Sequence, residues 1–314
     1  PYPISVTPLQ SSVILIRRIC DGQQRIIAAV SSGQTHSFSG AGMKLAALVS
    51  ITLCGLAAAA TLPDNTIPDP FGVQLKGGNA TTQTIDQVSQ LGLKSVRRGF
   101  IWESIEKTKG QYDFSAYDDL VKECQSKGMS MIGCLFGNNK LYGNSVLTDE
   151  GREGFAKFAA ACATHYKNAN IYWEIWNEPN TQTFWGKHVG VKGNSEQFAT
   201  EYVALVKVVA PAIHQADPKA IVLGGATSGI WHDSYAWMNF VFQKGILKSG
   251  IDVWSIHPYS SKCPEDYIAA YAIVRKEMAD AGGPADMPMI DSERGFPIGK
   301  AEGYAGGDAK LSYE

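Results

Sequence analysis

The chain has little of what marks a nucleic-acid or membrane-surface protein. Its 28 Lys and Arg stand against 30 Asp and Glu, a formal net charge of −2. That balance offers no electrostatic footprint for a polyanion and no polybasic arm, so neither nucleic acid nor membrane is an expected partner. Cysteine is scarce, six in all, and none stands in a CxxC or His-rich spacing, so no metal site is expected. No glycine fingerprint follows the first apolar run, because Leu75-Lys76-Gly77-Gly78-Asn79 lacks the GxGxxG spacing of a dinucleotide fold. No apolar run reaches the roughly 20 residues that a membrane span needs.

What is present begins with the leader. Residues 1–42 start without methionine and show no sustained period. Met43-Lys44 then opens an apolar stretch that ends in alanines at Ala60. A short basic start, an apolar core and small residues suited to cleavage read as a secretory signal peptide over residues 43–60. The expectation is therefore a secreted, extracellular protein starting at Met43, with residues 1–42 an upstream non-native segment. Cys124, Cys134, Cys162 and Cys263 of the remaining part allow three disulfide connectivities, among which sequence does not choose. Asn79-Ala80-Thr81 is a glycosylation sequon, relevant in a eukaryotic host.

From residue 61 onward, short apolar runs alternate with helical patterns. Candidate strands lie at residues 71–75, 94–100, 129–136, 171–176, 220–224, 252–257 and 287–292. They are short, apolar and bounded by turn residues, as buried parallel strands are. Between them, Ser115 to Asp118 resembles a helix cap and Gly128 a stop. A further helix is expected from about residue 148 to 166, with Asp149 and Glu150 in its first turn. Asn194 with Gln197 opens another, whose apolar stripe is Tyr202, Leu205, Val206, Val209 and Ile213. Repeated strand–helix units without a break in composition predict one α/β domain over residues 61–314, a (β/α)8 TIM barrel. Seven strands are counted. The expectation is a barrel truncated before its eighth strand and C-terminally incomplete.

Two glutamates stand where such a barrel does its chemistry, at the C-terminal ends of strands. Glu178 follows the fourth strand in Trp176-Asn177-Glu178-Pro179, and Glu293 follows the seventh in Glu293-Arg294-Gly295-Phe296. A pair of carboxyl groups about 5–5.5 Å apart is what cleavage of a glycosidic bond with retention requires. These motifs, with Ser95 to Trp102, Gly110 to Tyr117 and Ser255-Ile-His-Pro-Tyr259, resemble clan A, the 4/7 superfamily of retaining glycoside hydrolases. The resemblance spans residues 71–299 and is nearest to the cellulase-like family 5 and family 39 group.

That resemblance implies Glu178 as acid/base and Glu293 as nucleophile. It places Asn177 on the sugar 2-hydroxyl, Tyr259 on the nucleophile and Arg97 facing the nucleophile; strand alternation then turns Arg98 outward, where a helix-packing salt bridge is expected. His257 and Asn138 are further candidates for the substrate site. Trp102, Trp185 and Trp231 follow strand ends and are candidate platforms for the apolar faces of sugar rings. Glu174 lies too deep to meet substrate and is expected in an internal ion pair, and Asp291 is expected as a structural partner deeper in the barrel. The function implied is a secreted, monomeric β-glycosidase acting on a polysaccharide or oligosaccharide without a cofactor. A transglycosylase using the same site, and a barrel that binds carbohydrate but has lost catalysis, are the alternatives.

Overall fold

The computed structural model describes residues 17–20, 23–26, 71–77, 80–259, 267–284 and 286–294. The expected leader at 43–60, the sequon's Asn79, Cys54, Cys263 and residues 295–314 lie outside the described residues. The chain divides into two units, Pro1–Ala58 and Ala59–Glu314. Described in the first is an antiparallel pair of short strands, Arg17–Cys20 and Gln23–Ile26, joined by two residues.

The second unit holds seven strands in one parallel sheet whose spatial order is the chain order. They are β1 (Gly72–Gln74), β2 (Ser95–Ile101), β3 (Ser130–Phe136), β4 (Ile171–Ile175), β5 (Ile221–Ser228), β6 (Val253–His257) and β7 (Met289–Asp291). Six longer helices alternate with them: α1 (Thr82–Gln90), α2 (Ser115–Ser126), α3 (Asp149–His165), α4 (Ser195–Ala216), α5 (His232–Gln243) and α6 (Tyr267–Asp280). This is the α/β architecture of a TIM barrel with seven strands among the described residues, and each falls on an expected run.

Side-chain caps set several helix starts. Thr148 accepts from Gly151 N ahead of the two acidic residues of α3, and Asn194 accepts from Gln197 N at α4. At α2 the expectation is corrected. Ser115 is the first helical residue, and its backbone N–H is taken by Asp113 Oδ1. All five residues of the expected α4 stripe are buried, each contributing roughly 1.5–3 kcal/mol of transfer free energy. They pack α4 between α3 and α5.

The sheet's other face carries two chemically distinct layers. Ile132, Tyr172, Leu223 and Val253 form an apolar cluster with Ile290 packed against it. Two residues further along the same strands stand Cys134, Glu174, Ser255 and Ser292. The period of two keeps them on the same face, one layer nearer the C-terminal ends. An apolar floor therefore supports a polar layer, and the polar layer supports the site.

Cys124, Cys134 and Cys162 are buried free thiols. Each of the three connectivities open to four cysteines would join two of these three, so none of them is formed. Burial pushes all three thiols above their ordinary range, which leaves them poor nucleophiles.

Candidate active site

The exit of β4 is built with an unusual backbone. Trp176 has φ 71° and Glu178 φ 47°, a left-handed region that bulky side chains rarely occupy and that clusters at functional positions. Neighbouring elements hold this path. Trp176 donates its indole N–H to Phe184 O at 2.9 Å and packs on Phe136 and Trp185. Glu178 N–H donates to Ala226 O at 3.0 Å.

Ala226 is available because β5 bulges there, its register against β6 shifting between Gly224 and Thr227. Gly225 at φ 102° allows the bulge, and a Cβ there would lie 2.5 Å from Ser255 O. From α4, the Tyr202 hydroxyl donates to Ile175 O at 2.9 Å and accepts from Gly225 N at 3.0 Å. One buried phenol thus pins the end of β4 to the bulge of β5.

Arg97 is the hub of the polar layer. Its guanidinium donates to Glu174 Oε2 at 2.5 and 2.8 Å, to Glu293 Oε2 at 2.7 Å and to Asn177 Oδ1 at 2.8 Å. Burial opposes its charge, but the Glu174 and Glu293 carboxylates outweigh burial and hold it firmly cationic. Glu174 is fully buried and also accepts from Ser255 and Ser292 through Oε1 at 2.7 and 2.6 Å. Burial favours its neutral form, yet Arg97, the His257 ring and the serine hydroxyl keep it ionised well below the usual carboxylate range.

The two candidate catalytic glutamates meet different surroundings. Glu293 accepts from the Tyr259 hydroxyl at 2.6 Å and from Arg97, and the Lys76 ammonium lies 3.8 Å away. Burial alone would raise its pKa, but the Tyr259 hydrogen bond and the charges of His257, Arg97 and Lys76 bring it below the ordinary value. Glu178, only 7 % exposed, faces His257 Nδ1 at 3.1 Å. Glu293 is thus held charged, while Glu178 stands within hydrogen-bond reach of an imidazole with which a proton can be exchanged.

The structure brings Arg97, Asn177, Glu178, His257, Tyr259 and Glu293 together, but it does not bring in every expected residue. Trp102 is fully buried, donates to Glu106 Oε2 at 2.6 Å and packs on Tyr142, Phe155 and Phe158. Trp185 is fully buried too, donating to Glu201 Oε2 at 2.7 Å and standing edge-on to Trp176 and Tyr202. Neither ring can stack on a sugar. Each follows a strand end in sequence, but a carboxylate, buried Glu106 for Trp102 and half-buried Glu201 for Trp185, draws the indole N–H away from the mouth. Asn138 is likewise committed, donating to His188 O and accepting from Val146 N, so it clips two loops together. Trp231 differs, being 47 % exposed just after β5.

Glu174 does form the expected internal ion pair. Arg98 turns away from the site, but the expected salt bridge is corrected: its guanidinium donates to a backbone carbonyl, Leu75 O, at 3.3 Å. Asp291 accepts from Tyr271 of α6 at 2.7 Å, which corrects its placement from the barrel interior to the helical side of β7. Sequence reasoning missed Ser255, Ser292 and Lys76. Alternation along β6 and β7 would have put both serines on the interior face, whereas nothing in the pattern marks Lys76.

The family described as Cellulase (glycosyl hydrolase family 5) matches residues 64–267, a span that includes Arg97, Glu178, His257 and Tyr259 and ends before Glu293. Curated proteins give no match. Among solved structures, a monomeric β-xylosidase from Caulobacter crescentus CB15 is 19% identical, with TM-score 0.55 over 74% of this chain and 53% of that one. The GH39 enzyme from Xanthomonas axonopodis pv. citri is 18% identical, with TM-score 0.54 over 78% and 54%. A GH39 β-xylosidase from Caulobacter crescentus is 20% identical, with TM-score 0.51 over 72% and 53%. The chain spans about half the length of these structures, and at such identities the likeness speaks to the fold. The match over more than half of the sequence establishes that this chain belongs to the cellulase family, glycosyl hydrolase family 5.

Proposed function

We propose that the protein is a secreted, monomeric retaining β-glycosidase acting on a polysaccharide or oligosaccharide, with Glu178 as acid/base and Glu293 as nucleophile. The observation that carries this reading is the contrast between two glutamates at the ends of β4 and β7. Glu293 is ringed by Arg97, Tyr259 and Lys76 and kept ionised. Glu178 is nearly buried and shares its proton contact with an imidazole.

In the first step a Glu293 oxygen bonds to the anomeric carbon while the bond to the leaving oxygen breaks, and the Glu178 proton passes to that oxygen. In the second step Glu178 takes a proton from water, the resulting hydroxide equivalent attacks the anomeric carbon, and Glu293 is released. One water is consumed for each bond broken. Asn177, its carbonyl held by Arg97, has its amide N–H groups left to meet a sugar hydroxyl. Trp231 offers an exposed ring at the mouth.

The test is sugar release from a panel of β-linked glucans, xylans, mannans and galactans by the full chain, with Glu178→Ala and Glu293→Ala beside it. Both variants are expected to lose activity, Glu178→Ala by about 10²–10⁴-fold. Undiminished release by either variant would refute the assignment. Polymer binding without release by the parent would favour a carbohydrate-binding barrel instead.

A further inference from the structure

The buried residue beneath the two glutamates is the one the proposed mechanism leaves unused. Glu174 is fully buried and no substrate can touch it, yet the contacts of both catalytic candidates lead back to it. Through Oε2 it takes two N–H groups of Arg97, which fixes the guanidinium so that its third donor group meets Glu293 Oε2 at 2.7 Å. Through Oε1 it takes the hydroxyls of Ser255 and Ser292.

Counting protons along the second branch fixes the histidine. An ionised carboxylate can only accept, so the Ser292 proton goes to Glu174 and the Ser292 oxygen is left to accept. His257 Nε2 lies 3.0 Å from that oxygen and must therefore carry hydrogen. Nδ1 faces Glu178 Oε1 at 3.1 Å. A single proton remains for that contact, and it resides on Glu178 or on the ring.

We infer that Glu174 is the positioning residue of this site: one of its oxygens aims Arg97 at Glu293, and the other, by way of Ser292, fixes His257 in the form that leaves Nδ1 to share a proton with Glu178. This rests on the proposed roles of Glu178 and Glu293 and goes beyond them, because it traces the contacts of both to one buried carboxylate.

Several groups act on His257. Glu174 and Glu178 come from β4 and its exit, Arg97 from β2, and Ser292 and Glu293 from the end of β7, while the Asp291 charge reaches it only from the helical side of that strand. Burial and Arg97 oppose an imidazolium, whereas the contacts with Glu174 and Glu178 favour it, and the balance raises His257 above its ordinary value. Neutralising Glu174 removes a charge 4.0 Å from Nε2 and leaves Arg97 paired with Glu293 alone. The proton shared by Glu178 and His257 is then lost at lower pH.

The experiment is a pH titration of the full chain labelled with ¹⁵N in histidine, followed by NMR. His257 is identified among the six histidines by the signal missing from His257→Asn. In the parent, Nε2 is expected to keep its hydrogen at every pH while Nδ1 titrates. In Glu174→Gln, whose amide oxygen can still accept from Arg97, the midpoint is expected to fall by about one pH unit or more. In Ser292→Ala the charge stays but the link is cut, so the two neutral tautomers are expected to mix. With 4-nitrophenyl β-glucoside and β-xyloside as probes, the alkaline limb of kcat/KM moves down with the midpoint in Glu174→Gln.

A parent carrying its neutral hydrogen on Nδ1 overturns the inference, as does a midpoint that Glu174→Gln leaves in place. Should Glu174→Gln not fold, the Ser292→Ala tautomer ratio decides alone, and a ratio equal to the parent's overturns the inference. The titration needs no turnover. Its failure is therefore distinct from failure of the acid/base assignment, which full activity in Glu178→Ala would reveal.

Discussion

At Glu293 a phenol, a guanidinium and an ammonium converge on one carboxylate, and they do not weigh equally. Burial resists ionisation, the Tyr259 hydrogen bond is the largest force against it, and the exposed Lys76 is the smallest of those resolved. Attack on an anomeric carbon needs the ionised form. The sign follows: a nucleophile with a depressed pKa stays competent to lower pH, and a weaker depression moves the acid limb of activity upward. Replacing Tyr259 by Phe removes the hydroxyl and keeps the ring. The acid limb of kcat/KM is then expected to rise by about one pH unit. The loss should be greatest below that limb and smaller above it. A rate profile of Tyr259→Phe that overlays the parent's would assign the depression to the cations instead.

At the scale of elements, the site depends on contacts that run between strands and helices far apart in sequence. The Tyr202 hydroxyl serves two backbone groups in the interior, Ile175 O and Gly225 N, and holds the β5 bulge where Ala226 O meets Glu178 N–H. Tyr202→Phe leaves both groups without that partner, at a cost of about 1–3 kcal/mol. The urea unfolding midpoint should drop accordingly, and kcat should fall because the backbone under Glu178 is loosened. An unchanged midpoint would mean that other contacts hold the bulge.

The same interactions mark the border of what the sequence revealed. The strands were legible because each is an apolar run bounded by turn residues. The second half of β5 was not, because Gly224-Gly225-Ala226-Thr227 reads as a turn until β6 pairs with it. Glu178 and Glu293 were legible because strand ends are visible in sequence. The directions of Trp102 and Trp185 were not, since Glu106 and Glu201 decide them through hydrogen bonds. Ser255 and Ser292 acquire meaning only from the register that brings both to Glu174.

For the whole molecule, charge is nearly balanced, and it is arranged so that the charges that matter are the ones salt reaches least. The formal net charge is −2, which gives no long-range steering of a charged substrate. Arg97 and Glu174 are buried and paired, and screening acts weakly on such pairs. Lys76 is the exception, 72 % exposed and 3.8 Å from Glu293, so its influence is the part that dissolved ions remove. For a neutral oligosaccharide, KM is therefore expected to change by less than about twofold between roughly 0.05 and 0.5 M NaCl, over which the screening length shortens from about 14 to 4 Å. The acid limb should drift slightly upward as Lys76 is screened from Glu293. A tenfold rise in KM over the same range would contradict an uncharged substrate. It would indicate instead a sugar bearing a carboxylate, with Lys76 as the cation at the mouth of the site to receive it.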